Sequence, residues 1–363
     1  MELYNVDNPL EAFLQAKADI YHQPIGGTME LTPICNMDCK MCYVRQSSEQ
    51  VAWEGGLLSV EQWMAIAESA QKAGVLYLLI TGGEPFTYPG FEKLYRKLND
   101  MGFILQINTN GTMITERFQK MLLDCPPRKL NITLYGMSDQ AYGKLCGNPH
   151  GFSQVMKTFD YLSQNNIPFT INYTVTPENK NLYEQVRAVA DSYHTLVTPS
   201  FYLFPPVRKG DFSSFYRMTP EETAVRMINY QMQDKHLTKE ELAQMVSQKL
   251  DEPKRWPDHG FRCRAAGSGF WINWHGDLLP CGMFHEPKVS LIGTEFAEAW
   301  LELTEKAAKL PTCNACSTCE LLNICDVCMA KSYTEAGCSE GRPEYQCAVT
   351  RAYAKALLSD TTF

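Results

Sequence analysis

The chain has 363 residues, and its fourteen cysteines are unevenly distributed. Three lie close together at Cys35, Cys39 and Cys42, and most of the others fall between Cys263 and Cys347. Thiolates are good ligands for zinc and for iron–sulfur clusters, and disulfides are rare in a reducing cytoplasm. The clustering therefore predicts metal binding in two parts of the chain.

The first group has the spacing C-x3-C-x2-C and directly follows a predicted strand. Three thiolates can bind a [4Fe–4S] cluster and leave one iron open to a small ligand. A structural zinc site would need a fourth Cys or His nearby, which the local sequence lacks. The triplet therefore favours an iron–sulfur cluster over a zinc loop.

The second group contains too many thiols for one site and suits two sites of four ligands each. Its members are Cys263, Cys281, Cys313, Cys316, Cys319, Cys325, Cys328, Cys338 and Cys347. Distant members such as Cys347 would tie down the end of the chain by closing a long loop. The spacing alone is consistent with two iron–sulfur clusters and with two structural zinc sites.

Polar residues follow the second and third predicted strands. They are Gly82, Gly83, Glu84 and Pro85 after the second strand, and Asn108, Thr109 and Asn110 at the end of the third. Glycines let a backbone approach a ligand closely, a carboxylate accepts hydrogen bonds from an ammonium group, and amides and hydroxyls bind sugar hydroxyls. Because these motifs follow the triplet in order at consecutive strand ends, we predict that they share one site with it.

The elements that must position these residues alternate between strand and helix patterns from Thr28 to about Phe204. The predicted strands are Met29–Thr32, Leu76–Thr81, Ile104–Asn108, Leu130–Tyr135, Phe169–Thr176 and about Leu196–Phe204. The predicted helices are Ser59 to Gly74, Phe91–Leu98, Glu116–Leu123, Gly151–Gln164 and Asn181–Tyr193, the first with a capping box at Ser59 and Gln62. This order predicts an α/β fold, either a partial barrel or an open doubly wound sheet, with its site at the carboxyl ends of the strands.

The pattern changes after Phe204. One charged helical stretch is predicted over Thr219–Met245, with a capping box at Thr219 and Glu222, followed by a linker at 251–260. Two short strands, Phe270–Asn273 and Asp277–Leu279, are predicted to join at His275 and Gly276 before the cysteine-rich region. We therefore divide the chain into an N-terminal extension (1–27), a barrel with its following helical segment (28–250) and a cysteine-rich domain (251–363).

Composition excludes several classes of function. The balance of 33 basic and 41 acidic residues, with no long basic run, offers no electrostatic footprint for nucleic acid or for an anionic membrane. The longest apolar stretch is too short to span a bilayer, and the N-terminal residues do not have the pattern of a secretory signal. We therefore expect a globular protein of the cytoplasm.

The triplet resembles the signature of the radical S-adenosylmethionine (SAM) superfamily, whose partial (β/α)6 barrel carries C-x3-C-x2-C after its first strand. The resemblance implies that the three cysteines hold a [4Fe–4S] cluster and that its open iron chelates the amino and carboxylate groups of SAM. One electron would then cleave SAM to methionine and a 5′-deoxyadenosyl radical. It also implies that residues 82–85 bind the SAM amino group, that Asn108, Thr109 and Asn110 bind its ribose, and that Tyr43 belongs to the same cofactor site.

The C-terminal region resembles the SPASM extension of peptide- and protein-modifying members of this superfamily. The match lies in Gly276-x4-Cys281 and Cys316-x2-Cys319-x5-Cys325, whereas the step from Cys325 to Cys328 is one residue shorter than the family pattern. By position, Cys263, Cys281 and Cys328 would hold a first auxiliary [4Fe–4S] cluster, and Cys316, Cys319, Cys325 and Cys347 a second. The fourth position of the first cluster is left between Cys313, Cys338 and an open site.

These resemblances imply an oxidoreductase that abstracts hydrogen from a peptide or protein and forms a thioether or carbon–carbon cross-link, as in ribosomal peptide maturation. The remaining electron would leave through the auxiliary clusters, and a flavodoxin or ferredoxin would be the reductant. Only 34 residues precede Cys35, so a leader peptide would need a separate binding protein or another docking surface.

Three alternatives stay open. The first is an anaerobic sulfatase-type maturase, although that type carries an aspartate directly after the second SPASM cysteine, where this chain has Gly282. The second is the oxidation of a cofactor precursor. The third belongs to a different class, a non-catalytic iron–sulfur or zinc-binding protein.

The remaining candidates carry weaker signals. Tyr135 and either Asn172 or Thr174 lie at the fourth and fifth strand ends, and Arg208 could bind a carboxylate. Cys125 and Cys146 have no partner at ligand spacing and are predicted to be buried like small hydrophobic residues. No residue is predicted as a catalytic acid or base.

Overall fold

The computed structural model describes residues 9–206, 216–254 and 261–358. Its centre is a run of six parallel strands: β1 (Gly26–Glu30), β2 (Tyr77–Thr81), β3 (Ile104–Thr109), β4 (Lys129–Thr133), β5 (Phe169–Thr174) and β6 (Val197–Ser200). Each strand pairs with the next one in the chain. A doubly wound sheet reverses its strand order at a switch point, so this uninterrupted order is that of a partial barrel. The predicted α/β fold is confirmed.

Helices connect these strands. They are α1 (Pro9–Ile20), α2 (Ser48–Trp53), α3 (Val60–Lys72), α4 (Phe91–Asp100), α5 (Glu116–Asp124), α6 (Asp139–Cys146), α7 (Gly151–Gln164) and α8 (Tyr183–Ser192). The capping box that begins α3 is confirmed, since the Gln62 N–H donates to Ser59 Oγ at 3.2 Å and the Ser59 N–H donates to Gln62 Oε1 at 2.8 Å. Helix α3 buries Trp63 and Ile66 against the sheet, as its apolar spacing requires.

Helices α1, α2 and α6 were not predicted. Helix α1 buries Glu11 and Gln15 while Leu10 and Phe13 are exposed, so it lacks the apolar core-facing pattern on which the prediction depended. Helices α2 and α6 contain 6 and 8 residues, too few to produce a clear helical period.

The rest of the chain adds helices and a small antiparallel extension of the sheet. The elements are α9 (Pro220–Lys235), α10 (Lys239–Asp251), β7 (Gly269–Ile272), β8 (Asp277–Leu279), β9 (Val289–Ser290), α11 (Phe296–Ala308), α12 (Asn314–Ser317), α13 (Met329–Ala336) and α14 (Glu344–Leu357). The single helix predicted over 219–245 is wrong: there are two helices. His236 has a left-handed φ of 53°, and Thr238 begins α10 with a second capping box.

The tail is attached to the barrel through its sheet. Strand β7 pairs in parallel with β1, and the predicted β7–β8 hairpin is present, so all nine strands form one sheet. Gly27 on β1 makes room for this pairing, because a Cβ there would lie 2.2 Å from the Phe270 ring. The division of the chain at residue 250 stays a prediction.

Within the described ranges, we find no helix of the length and apolarity required for a membrane span.

Candidate active site

The triplet lies on the loop that leaves the carboxyl end of β1. Backbone N–H groups donate to two of its sulfurs, from Met37 to Cys35 Sγ at 3.4 Å and from Arg45 to Cys42 Sγ at 3.3 Å. Burial, then the charge of Glu84, raises the pKa of the Cys35 thiol to about 12. Thiols held this way ionise when they bind a metal, so the donor set fits an iron–sulfur cluster that supplies the missing positive charge.

Cys39 has two neighbours that sequence spacing did not suggest. Its thiol forms a side-chain hydrogen bond with Cys146, which together with burial raises the pKa of Cys39, while a hydrogen bond from Tyr135 lowers it. Cys146 is fully buried, as predicted, and it also lies against the triplet. Cys125 lies elsewhere, with its sulfur 3.8 Å from an Arg96 guanidinium nitrogen. Cys146 was missed because it is distant in sequence from Cys39.

Glu84 is held rigidly at the same end of the sheet. Its carboxylate accepts hydrogen bonds from Thr109 Oγ1 at 2.8 Å, from the Asn110 N–H at 2.8 Å and from the Phe86 N–H at 3.2 Å. Burial raises the pKa of this carboxyl to about 7, although the hydrogen bonds partly oppose that shift. The electrostatic interaction of Glu84 with Cys35 places a pre-oriented carboxylate beside the triplet.

The residues at the end of β3 are engaged with the protein itself. Thr109 donates to Glu84, and Asn110 Nδ2 donates to Asn36 Oδ1 on the cysteine loop at 2.8 Å. Asn108 Oδ1 accepts a hydrogen bond from Asn131 Nδ2 at 2.7 Å across the β3–β4 pair. These contacts fix Glu84 and the cysteine loop in position, and ribose binding by the three residues stays a prediction.

The glycines before Glu84 allow a close approach of two backbones. A Cβ at Gly82 would lie 2.3 Å from the Thr32 carbonyl oxygen, and one at Gly83 would lie 2.5 Å from that of Ile34. The Gly83 N–H donates to Thr32 O at 2.7 Å, which joins the motif to the loop that carries the cysteines. The two glycines therefore allow the Glu84 loop to lie against the cysteine loop. Their predicted role in binding SAM stays a prediction. Pro85 begins a short 3₁₀ turn that continues from Glu84.

We expect Gly83→Ala to separate the Glu84 loop from the cysteine loop. Its Cβ would overlap backbone atoms, which cannot rotate away, so a stability loss of about 1–3 kcal/mol is expected in chemical denaturation. Gly143→Ala is the matched control, because the nearest atom to a Cβ there would be 3.5 Å away and alanine favours the interior of α6. An unchanged denaturation midpoint for Gly83→Ala would contradict the proposed tight contact.

The tail thiols lie in two groups. The first tail thiol group comprises Cys263, Cys281 and Cys328; burial, followed by charge interactions with the other two, raises the pKa of Cys281 to about 12. The second tail thiol group contains Cys313, Cys316, Cys325 and Cys347; burial, then the hydrogen bond with Cys313 and charge interactions with the others, raises the pKa of Cys316. The first group has the same three cysteines as the sequence-based assignment, whereas the second group keeps Cys316, Cys325 and Cys347 and adds Cys313. The assignment of Cys319 to the second cluster stays a prediction.

Two further tail cysteines are Cys319 and Cys338. The Cys319 N–H donates to the Cys316 carbonyl at 3.2 Å, which places Cys319 one turn beyond the second tail thiol group. The Cys338 sulfur lies against Gly341 in the loop after α13. Across residues 9–206, 216–254 and 261–358, no three Cys, His, Asp or Glu side chains converge tightly enough to hold a single metal ion. The support for iron–sulfur clusters in the tail is the composition of the two groups, which contain only thiols.

We expect Cys347→Ala to remove the iron bound by the second tail thiol group and to leave the triplet intact. The loss should be about four irons per chain if that group holds a four-iron cluster, with SAM cleavage retained. Iron analysis and 5′-deoxyadenosine assay would measure both effects. Cys125→Ala is the control and should keep its full iron content, because its thiol lies beside Arg96 and away from the proposed ligands; a Cys347→Ala protein with full iron would contradict the ligand assignment.

An apolar cluster connects the cysteine loop to the first tail thiol group. Its buried members are Phe261, Ala265, Met283, Phe284, Ala307, Met329 and Ala330. Tyr43, directly after the triplet, packs against this cluster together with Phe204, Cys281 and Cys328. The Tyr43 and Phe204 ring centroids are 6.2 Å apart. The two thiol sites therefore share one continuous apolar environment.

The position after Cys281 has no space for a side chain. A Cβ at Gly282 would lie 2.6 Å from the Trp271 indole, whose Nε1 donates to the buried Glu30 carboxylate at 3.0 Å. An aspartate at position 282 would therefore need Trp271 to move. This packing gives a physical reason for glycine directly after Cys281, where the sulfatase-type maturases carry an aspartate.

The weaker candidates fall in different places. Tyr135 contacts Cys39 as described, whereas Asn172 and Thr174 are half-buried on β5 in register with β6. Arg208 lies outside the described residues.

Comparison with known proteins agrees with this architecture. Residues 29–189 match the family model of the Radical SAM superfamily. The chain is 24% identical over 328 residues to an AdoMet-dependent heme synthase of Oleidesulfovibrio alaskensis, covering 85% of this chain and 83% of that protein. It is 25% identical over 283 residues to the subtilosin biosynthesis protein AlbA of Bacillus subtilis, covering 77% and 59% of the two chains.

The fold is also that of a solved enzyme. The structure of Streptococcus suis SuiB bound to S-adenosylmethionine aligns with a TM-score of 0.67 and 18% identity, covering 96% of this chain and 84% of SuiB. Residues 29–189 therefore form a radical SAM domain, and the chain is an enzyme. Within that superfamily it resembles the SPASM-containing peptide maturases.

Proposed function

We propose that this enzyme oxidatively modifies a peptide or protein substrate by forming a thioether or carbon–carbon cross-link. The observation that carries the proposal is the apolar cluster shared by Tyr43 and the first tail thiol group. Cross-linking removes two hydrogen atoms from the substrate. One would leave as a hydrogen atom to the 5′-deoxyadenosyl radical and the other as a proton and an electron, so that this electron needs an acceptor close to the place of hydrogen abstraction. An electron acceptor held by Cys281 and Cys328, which pack against this cluster, together with the exposed Cys263 would lie beside the same apolar environment.

Each part of the barrel site has its own role in this proposal. Cys35, Cys39 and Cys42 would hold the [4Fe–4S] cluster, and Glu84 would accept hydrogen bonds from the SAM amino group. When bound, the cluster and SAM supply the one-electron chemistry that abstracts a hydrogen atom from the substrate. The apolar cluster beside Tyr43 would exclude water and so limit side reactions.

The two tail thiol groups would hold auxiliary [4Fe–4S] clusters. Their grouping around Cys281 and around Cys316 supports two clusters rather than one. We further propose that a flavodoxin or ferredoxin supplies the reducing electron and that a separate protein or surface binds a leader peptide.

Relatives support a peptide substrate. The name of AlbA describes bacteriocin biosynthesis, and SuiB has been solved with its precursor peptide SuiA. These properties belong to those proteins, and we extend them to this chain as part of the proposal.

Oxidation of a cofactor precursor is the second candidate. The observation that favours it is the match to AdoMet-dependent heme synthases, which spans 85% of this chain. Neither candidate requires an aspartate after Cys281, and both use the same barrel site.

The test is to incubate the anaerobically reconstituted enzyme with SAM, a reductant and one substrate at a time. A short peptide encoded beside this gene is the first probe, and a heme-precursor porphyrin is the second. We expect the peptide to stimulate 5′-deoxyadenosine formation and to become lighter by two hydrogen atoms. Turnover of the porphyrin alone would favour the second candidate. No 5′-deoxyadenosine from iron-loaded protein would instead favour a non-catalytic iron–sulfur protein.

A further inference from the structure

Lys331 is a buried cation between the two tail thiol groups. It lies on α13 with only 8% of its surface exposed. Its Nζ donates to the Asp326 carbonyl at 2.7 Å and to Gln346 Oε1 at 2.6 Å, and it lies 4.3 Å from the centroid of the Tyr202 ring. Both hydrogen-bond acceptors are neutral, and no carboxylate in the described parts of the chain forms an ion pair with it within 4.0 Å.

A buried ammonium group is costly unless charge or hydrogen bonds compensate it. Burial lowers the pKa of Lys331, whereas the charges of Cys328, Asp326, Cys325 and Glu335 raise it. Cys328 belongs to the first tail thiol group and Cys325 to the second. The Lys331 N–H donates to the Cys328 carbonyl at 3.0 Å, and the Lys331 Nζ reaches Cys325 through Gln346, so this residue is linked to both tail thiol groups.

A hydrogen-bond network extends from Lys331 to the Cys325 sulfur. Gln346 accepts from Lys331 through Oε1, and its Nε2 donates to Thr350 Oγ1 at 3.1 Å and lies 3.9 Å from Cys325 Sγ. Thr350 Oγ1 donates to the same sulfur at 3.2 Å. Two side-chain donors therefore lie within reach of the Cys325 sulfur, the Gln346 amide that binds the lysine and the Thr350 hydroxyl, whose single proton is shared between this sulfur and the Gln346 carbonyl at 3.0 Å.

We propose that Lys331 is a positioning residue that sets the reduction potentials of the clusters held by the tail thiol groups, acting on the second group through Gln346 and Thr350. The inference rests on the proposed function, in which these thiols bind iron–sulfur clusters. Positive charge and hydrogen bonds to sulfur both favour the more negatively charged, reduced form of a cluster. Lys331 therefore makes the tail clusters better acceptors for an electron from the substrate.

The test is a potentiometric titration followed by electron paramagnetic resonance. The parent protein is the full chain carrying Cys35→Ala, Cys39→Ala and Cys42→Ala, so that only tail clusters titrate. Adding Lys331→Met should lower the ratio of reduced to oxidised cluster about tenfold at a fixed solution potential, which is about 59 mV for a one-electron couple. Adding Lys331→Arg should restore most of the shift, because it keeps the charge.

Two further variants make the result specific. Lys355→Met removes an exposed lysine of α14 and should leave the potentials unchanged. Thr350→Val removes one donor to Cys325 with little change in shape, and it should lower the potential of the second cluster alone. If Lys331→Met loses iron, the potential of the second cluster in Thr350→Val is the deciding measurement.

The outcomes separate this inference from the function on which it rests. Iron-loaded Lys331→Met with unchanged potentials would overturn the role of Lys331. If Lys331→Met cannot hold iron, an unchanged potential in Thr350→Val would overturn it. A parent protein without any reducible tail cluster would overturn the proposed auxiliary clusters and this inference together.

Discussion

Replacing Cys35, Cys39 and Cys42 together by alanine is expected to abolish the release of 5′-deoxyadenosine from SAM. The three thiols share one loop, and nothing else in the chain is predicted to hold the iron that binds SAM. The measurement is chromatography of 5′-deoxyadenosine after anaerobic incubation with SAM and a strong reductant. Iron content should fall by about four from about twelve per chain if all three sites hold four-iron clusters.

Cys125→Ala is the matched control for the triple variant. Its thiol lies beside Arg96, away from the cysteine loop, so both iron content and SAM cleavage should be retained. Undiminished 5′-deoxyadenosine release by the triple variant would refute the assignment of the barrel site. An iron content near four with zinc in the protein would instead favour zinc in the tail.

Replacing Glu84 by glutamine is expected to weaken SAM binding at least tenfold, which is about 1.4 kcal/mol. The substitution keeps the size of the side chain but removes the charge that would pair with the SAM ammonium group. It also places an amide N–H₂ among the donors from Thr109 and Asn110, so the orientation of the group is lost. Anaerobic equilibrium dialysis with labelled SAM would measure the change.

Iron content must be measured on the same Glu84→Gln sample, because the Glu84 loop contacts the cysteine loop. Glu68→Gln changes an exposed carboxylate on α3 and should not affect SAM binding. Wild-type SAM affinity in an iron-loaded Glu84→Gln protein would show that this carboxylate does not bind the cofactor.

The alternation of strand and helix patterns predicted the number and order of the six barrel strands, because short β-branched and apolar runs between helical stretches are typical of parallel strands. The bounds were less accurate for β1, expected at Met29–Thr32 and found at Gly26–Glu30. Strand β3 was expected at Ile104–Asn108 and is found at Ile104–Thr109, and α7 has the predicted bounds. The stretch 219–245 was less predictable. Its charged composition predicts one helix, whereas the left-handed backbone at His236 divides the stretch into α9 and α10.

Local sequence was sufficient to predict which residues carry chemistry, because the spacing of thiols on one loop limits what they can bind. It therefore predicted the triplet, Glu84 and a tail with two thiol groups. Tertiary structure decided which distant residues meet: Cys146 with Cys39, Cys313 with Cys316, and Lys331 near both tail groups. Long-range contacts depend on how β7 pairs with β1 and how helices pack, and no local spacing encodes that arrangement.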